Sequence, residues 1–146
     1  LAQPAPLPET LIGHDPAFYL EATLKSWTKG RSLAPFAPEA LADYHASFAD
    51  PAHVAAACDD YRAGATIDRA DDEASLAAGA RIACPVLALW GASFGASGAR
   101  SQLDVWRNWA PGVEGTAIDS GHFLAEEAPE AVLAALAPFL ANAAGG

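Results

Sequence analysis

Apolar residues recur at helical spacing from about position 15 to position 80, and strand-like runs begin only after them. Residues 1–14 (LAQPAPLPETLIGH) hold three prolines and no periodicity, which predicts an extended, irregular segment. DPAFYLEATLKSWTKG then reads as a helix capped by Asp15, opened by Pro16 and closed near Gly30, with Phe18, Leu20, Leu24 and Trp27 as its apolar stripe. Pro38 opens a second helix (PEALADYHASFA). Asp50-Pro51 repeats the cap-plus-proline device before AHVAAACDDYRAGA, which Gly64 should end. Residues 66–80 (TIDRADDEASLAAGA) read as a fourth helix, and the acidic run Asp71-Asp72-Glu73 as a solvated face.

The pattern changes at Arg81. RIACPVLALWGAS contains a short apolar run suited to one buried strand, and GVEGTAID is a weaker second strand. SQLDVWRNWAP between them has helical spacing, with Leu103, Trp106 and Trp109 expected to pack onto a sheet. EEAPEAVLAALAPFLANAAGG closes the chain as an amphipathic helix with acidic residues at its positive end. A β-α-β-α order predicts parallel pairing and a sheet covered on both faces. Two parallel strands leave their outer edges unpaired, so further strands are expected from upstream residues or another chain. The fold class expected is α/β with an incomplete parallel sheet, residues 1–80 forming a helical region and 81–146 the β-α-β-α part.

Composition narrows the function. A chain of 146 residues that is 52% hydrophobic and 18% charged should fold around a packed core. Eight basic against 18 acidic residues give a net charge of -10, which argues against nucleic acid and anionic membranes as partners. No apolar run approaches the roughly 20 residues of a membrane span, and no signal peptide is visible, so a cytoplasmic protein is expected. Cys58 and Cys84 both lie in apolar runs and read as buried free thiols in a reducing compartment. The chain begins with Leu1 and holds no Met, which predicts that the natural polypeptide starts further upstream.

The segment Asp119-Ser120-Gly121-His122-Phe123-Leu124 carries the clearest chemical signal. A strand ends, a glycine turns the chain, and a histidine is presented before a helix, at the strand end where open parallel sheets bind ligands. Imidazole is the side chain best suited to moving protons near neutral pH. A turn histidine bonded only to backbone is the bland alternative for SGH alone; LALWG one strand earlier and EEAPE afterwards favour a catalytic base. Tyr61 shares a helical face with Val54, Ala57 and Cys58, so spacing alone favours a core tyrosine. Arg62 reads as a structural ion-pair former, with Asp59 or another acidic neighbour. His14, His45 and His53 are scattered without paired spacing, so no metal and no cofactor are expected. GASFGASG lacks a phosphate-binding fingerprint and reads as a loop near the site.

AQPAPLPE, CDDYRAGA, LALWGAS, LDVWRNWA and SGHFLAEEAPE together resemble fluoroacetate (haloacetate) dehalogenases of the α/β-hydrolase superfamily, from Leu1 to about Phe139. The resemblance implies that residues 1–80 are the cap region and return helix, and 81–146 the C-terminal part of the hydrolase core. It also implies a mechanism. An aspartate displaces halide from a short haloacid to leave an enzyme ester, and a histidine activates the water that hydrolyses it. On that pattern His122 is the base and Tyr61 the cap tyrosine that binds departing halide. The substrates implied are a small haloacid and water, and the parent is expected to be a homodimer.

What the chain lacks limits this picture. It contains neither G-x-S-x-G nor G-x-D-x-G, and no carboxylate directly follows the Trp90-Gly91 strand end. Asp104 should sit within the next helix, and Asp119 should bond locally. The resemblance implies that nucleophile, orienting acid and carboxylate-binding arginines all lie upstream, so the chain alone should be inactive. An epoxide hydrolase, with Tyr19 or Tyr44 partnering Tyr61, and a catalytically inert remnant are the alternatives.

Overall fold

The computed structural model describes residues 1–93 and 102–144. Five helices precede the first strand: α1 (Leu7–His14), α2 (Pro16–Trp27), α3 (Pro38–Phe48), α4 (Pro51–Ala65) and α5 (Ile67–Ala77). They are followed by β1 (Leu87–Gly91), α6 (Gln102–Trp106), β2 (Glu114–Ile118), α7 (Leu124–Glu127) and α8 (Pro129–Ala144).

Local chemistry accounts for most of these boundaries. The Asp15 carboxylate accepts from the Phe18 N–H at 2.9 Å, and Asp50 accepts from the Ala52 N–H at 2.8 Å, each with a proline at the next position. The expectation of an irregular N-terminus is overturned by α1. Its prolines lie at or before the first turn, where backbone N–H groups need no intrahelical partner, so they do not break the helix. α1 anchors through Ile12, which forms a buried cluster with Val54 and Cys58 of α4. Gly64 does not end α4; it lies one residue inside the terminus. The last helical pattern is divided in two, with Pro129 opening α8.

β1 and β2 pair in parallel, in register from Leu87 opposite Glu114 to Gly91 opposite Ile118. Ala88 packs with Ala110, Val113 and Leu103 of α6. The neighbouring Leu87 lines a recess with Ala135, Pro138 and Phe139 of α8. Side chains alternate across a strand, so α6 and α8 cover alternate faces of β1. Among the described residues the sheet has two strands.

Several packing expectations are corrected. Phe18 is 71% exposed, and the inward residue of α2 is Leu24. Trp106 is exposed, and Leu103 makes the α6 contact with the sheet cluster. Cys58 is buried, and loss of hydration pushes its thiol pKa up, but Cys84 is exposed because it precedes β1 in the linking segment. No helix among the described residues is long and apolar enough to cross a membrane.

Candidate active site

The ends of β1 and β2 converge on a tight turn. After β2 pairs with β1, the chain continues alongside it: Ala92 N–H donates to the Ile118 carbonyl at 2.8 Å, and Ser93 N–H to the Ser120 carbonyl at 3.1 Å. Ser120 is fully buried there. Gly121 follows, and its backbone presses against residues 27–29 at the end of α2. A Cβ on Gly121 would stand 2.4 Å from the Trp27 carbonyl oxygen and 2.5 Å from the Lys29 nitrogen. A Cβ on Gly91 would in turn stand 1.7 Å from the Gly121 oxygen. Only glycine permits both approaches.

His122 emerges from this turn with an exposed side chain. Its backbone N–H donates to the Trp27 carbonyl at 2.8 Å. Its ring meets Trp27 edge-on with centroids 4.8 Å apart, and the Phe123 ring lies 5.2 Å away. The residue therefore borders an open recess of about 320 Å³, which Leu89, Trp90, Gly91, Gln102 and Leu124 also line. An exposed imidazole on a fixed backbone, beside a mainly apolar recess, can exchange a proton with water or a small solute.

The carboxylate of Glu127 holds the same turn. One oxygen, Oε2, accepts from the Lys29 N–H at 2.8 Å and the Gly121 N–H at 3.0 Å. The other, Oε1, accepts from the Phe123 N–H at 3.2 Å. Beside it, the Tyr44 hydroxyl donates to Glu126 Oε1 at 2.6 Å, and that carboxylate holds the phenol above its usual pKa. Asp119 was expected to bond locally. It instead forms an ion pair with Lys29, ninety positions away in sequence. The strand end points Asp119 outward, its side chain 82% exposed, into reach of Lys29 after α2.

Tyr61 stands elsewhere. It is 42% exposed, so the core role favoured by spacing fails: Val54 and Cys58 on that face are buried, but Tyr61 lies a turn further, near the end of α4. Tyr61 contributes electrostatically to a raised Tyr19 phenol pKa, whose main cause is burial of Tyr19. It is not among the residues lining the recess at His122. Arg62 pairs with Asp59, as spacing implied, and also with Glu9 of α1. Asp104 pairs with Arg107 at 2.7 Å inside and just beyond α6. His45 approaches Glu21 at 3.5 Å, and the His53 ring contacts Ser47. Among the described residues no group of three or more His, Cys, Asp or Glu side chains is placed to hold a metal. Positions 94–98 of the GASFGASG loop lie outside the described residues.

Sequence reading missed Glu127 and Lys29. Glu127 was legible only as an acidic residue at a helix start, because its three donors come from two separated segments.

No family model matches the chain. It is 36% identical over 150 residues to a fluoroacetate dehalogenase from a Burkholderia species, covering all of this chain and 47% of that protein. The chain thus spans about half the length of the curated relative it matches. A protein from Nostoc sp. PCC 7120 described as an α/β hydrolase superposes with a TM-score of 0.84 at 44% identity, covering 95% of this chain and 46% of that one. A variant of a Pseudomonas aeruginosa protein described as an epoxide hydrolase, with bound MFA, superposes with a TM-score of 0.90 at 43% identity. That match covers 99% of this chain and 48% of the other. A parallel strand pair flanked by helices, a histidine turn at its end and these likenesses lead to one assignment: the chain belongs to the α/β-hydrolase superfamily, resembles fluoroacetate dehalogenase, and forms a partial α/β-hydrolase fold.

Proposed function

We propose that this chain supplies the water-activating half of a hydrolase that removes halide from short haloacids such as fluoroacetate. The observation that carries the reading is His122, exposed on a rigid turn at the strand ends and facing a recess of small-molecule size. The Burkholderia relative's name supports this substrate class.

The chemistry runs in two steps. A carboxylate oxygen of an upstream aspartate attacks the halogen-bearing carbon; the carbon–halogen bond breaks and halide leaves with the electron pair. His122 then takes a proton from water as the water oxygen attacks the ester carbonyl, and hydrolysis releases the hydroxy acid and regenerates the aspartate. Tyr61, in the cap formed by residues 1–80, donates its O–H to the departing halide. Tyr61 is 42% exposed and does not line the recess at His122, so this role rests on the resemblance of CDDYRAGA.

The test joins this chain to the rest of the Burkholderia relative, in place of the 150 residues it matches, and measures fluoride release from fluoroacetate. The expected result is steady turnover in the unmutated hybrid. His122→Ala should give a burst of about one fluoride per enzyme and then stop, with the ester visible by mass spectrometry. Sustained turnover by His122→Ala removes His122 from its role. Turnover of an epoxide but not of fluoroacetate favours the epoxide hydrolase reading.

A further inference from the structure

We infer that Glu127 is a positioning residue for His122, and that it couples the helical cap to the base. The inference rests on the proposed role of His122. Gly121 and Phe123 flank that histidine, and both of their N–H groups donate to the one carboxylate. The third donor, Lys29 N–H, belongs to the turn that follows α2. The remaining N–H of the turn, that of His122, is held by the Trp27 carbonyl of the same cap segment. All three successive N–H groups of Gly121, His122 and Phe123 are therefore claimed by partners, and both partners also fix residues 27–29.

Charge-assisted bonds from backbone N–H groups to a carboxylate are stronger than neutral ones, and here three converge on two oxygens. Glutamine at this position keeps the length but offers one acceptor oxygen, so one side of the turn must face an NH₂ group. Displacing a reacting group by about 1 Å can cost up to about a hundredfold in rate. The loss falls on ester hydrolysis, which uses His122, and spares the halide displacement that precedes it.

The experiment uses the same hybrid. Glu127→Gln should keep the first fluoride burst within about threefold while lowering steady turnover about tenfold or more, so that the ester accumulates. A structural role alone would lower burst and turnover together. Unchanged turnover, or an equal fall in both phases, overturns the inference. The His122→Ala hybrid run in parallel separates the two claims: if it traps ester while Glu127→Gln does not, only the role of Glu127 fails. As a measurement independent of any variant, the amides of Lys29, Gly121 and Phe123 in the unmutated protein should share slow hydrogen exchange. Exchange at unprotected rates at Gly121 and Phe123 overturns the inference whether or not Glu127→Gln folds.

Discussion

Arg62 illustrates how far individual side chains are legible. Asp59, three positions earlier on α4, follows from helical spacing, and the pair forms. Glu9 does not follow, because only the docking of α1 against α4 carries it there from 53 positions away. The Arg62 hydrogen bond is the main reason the Glu9 carboxyl sits below its ordinary pKa of 4.5. A carboxyl with a depressed folded-state pKa stabilises the fold above its unfolded value, and that contribution disappears as pH falls through the folded value. The expected outcome is that thermal stability declines between about pH 5 and pH 3 in the parent and declines less in Glu9→Gln, checked by melting curves across that range. The same limits apply to Tyr61 and Cys84. Helical spacing placed the first in the core and an apolar run buried the second, yet both are exposed.

Elements were mostly legible where their signals are local. Asp15-Pro16 and Asp50-Pro51 start α2 and α4 as capping chemistry requires, and LALWG is β1. α1 was hidden because its prolines read as breakers, although at a first turn they are tolerated. The convergence of β1 with the turn after β2 was equally hidden. Gly91 ends a strand in any reading, but its need to be glycine arises from Gly121 opposite. Gly91→Ala would drive a methyl group into backbone that has no freedom to move, since Gly121 is itself wedged against Trp27 and Lys29. That substitution should destabilise by about 4 kcal/mol or more, measured by denaturant unfolding. Gly13→Ala, where the added Cβ meets nothing within 4 Å, serves as the control and should leave stability within about 1 kcal/mol or raise it.

The molecule as a whole carries an apolar strand, β1, with one partner strand among the described residues. Leu7, Leu11, Ile67, Leu133 and Leu140 are exposed besides. A strand edge without a partner among the described residues, together with exposed apolar side chains, favours association. The 146-residue chain expressed alone should therefore aggregate or self-associate, read by light scattering during size-exclusion chromatography. A soluble monomer with a sharp, cooperative thermal transition would count against that expectation. Local patterning was enough to settle the helix-then-β-α-β-α layout, the Asp15 and Asp50 caps and the histidine turn, because each depends on neighbours within a few residues, and the order of the elements then implied the parallel pairing of β1 with β2. Folding in three dimensions decided the rest: Trp27 against His122, Lys29 with Asp119, and the three donors of Glu127. Trp27 with His122, Lys29 with Asp119 and the Lys29 N–H on Glu127 join segments ninety or more residues apart, and no local pattern encodes which distant backbone group will reach that carboxylate.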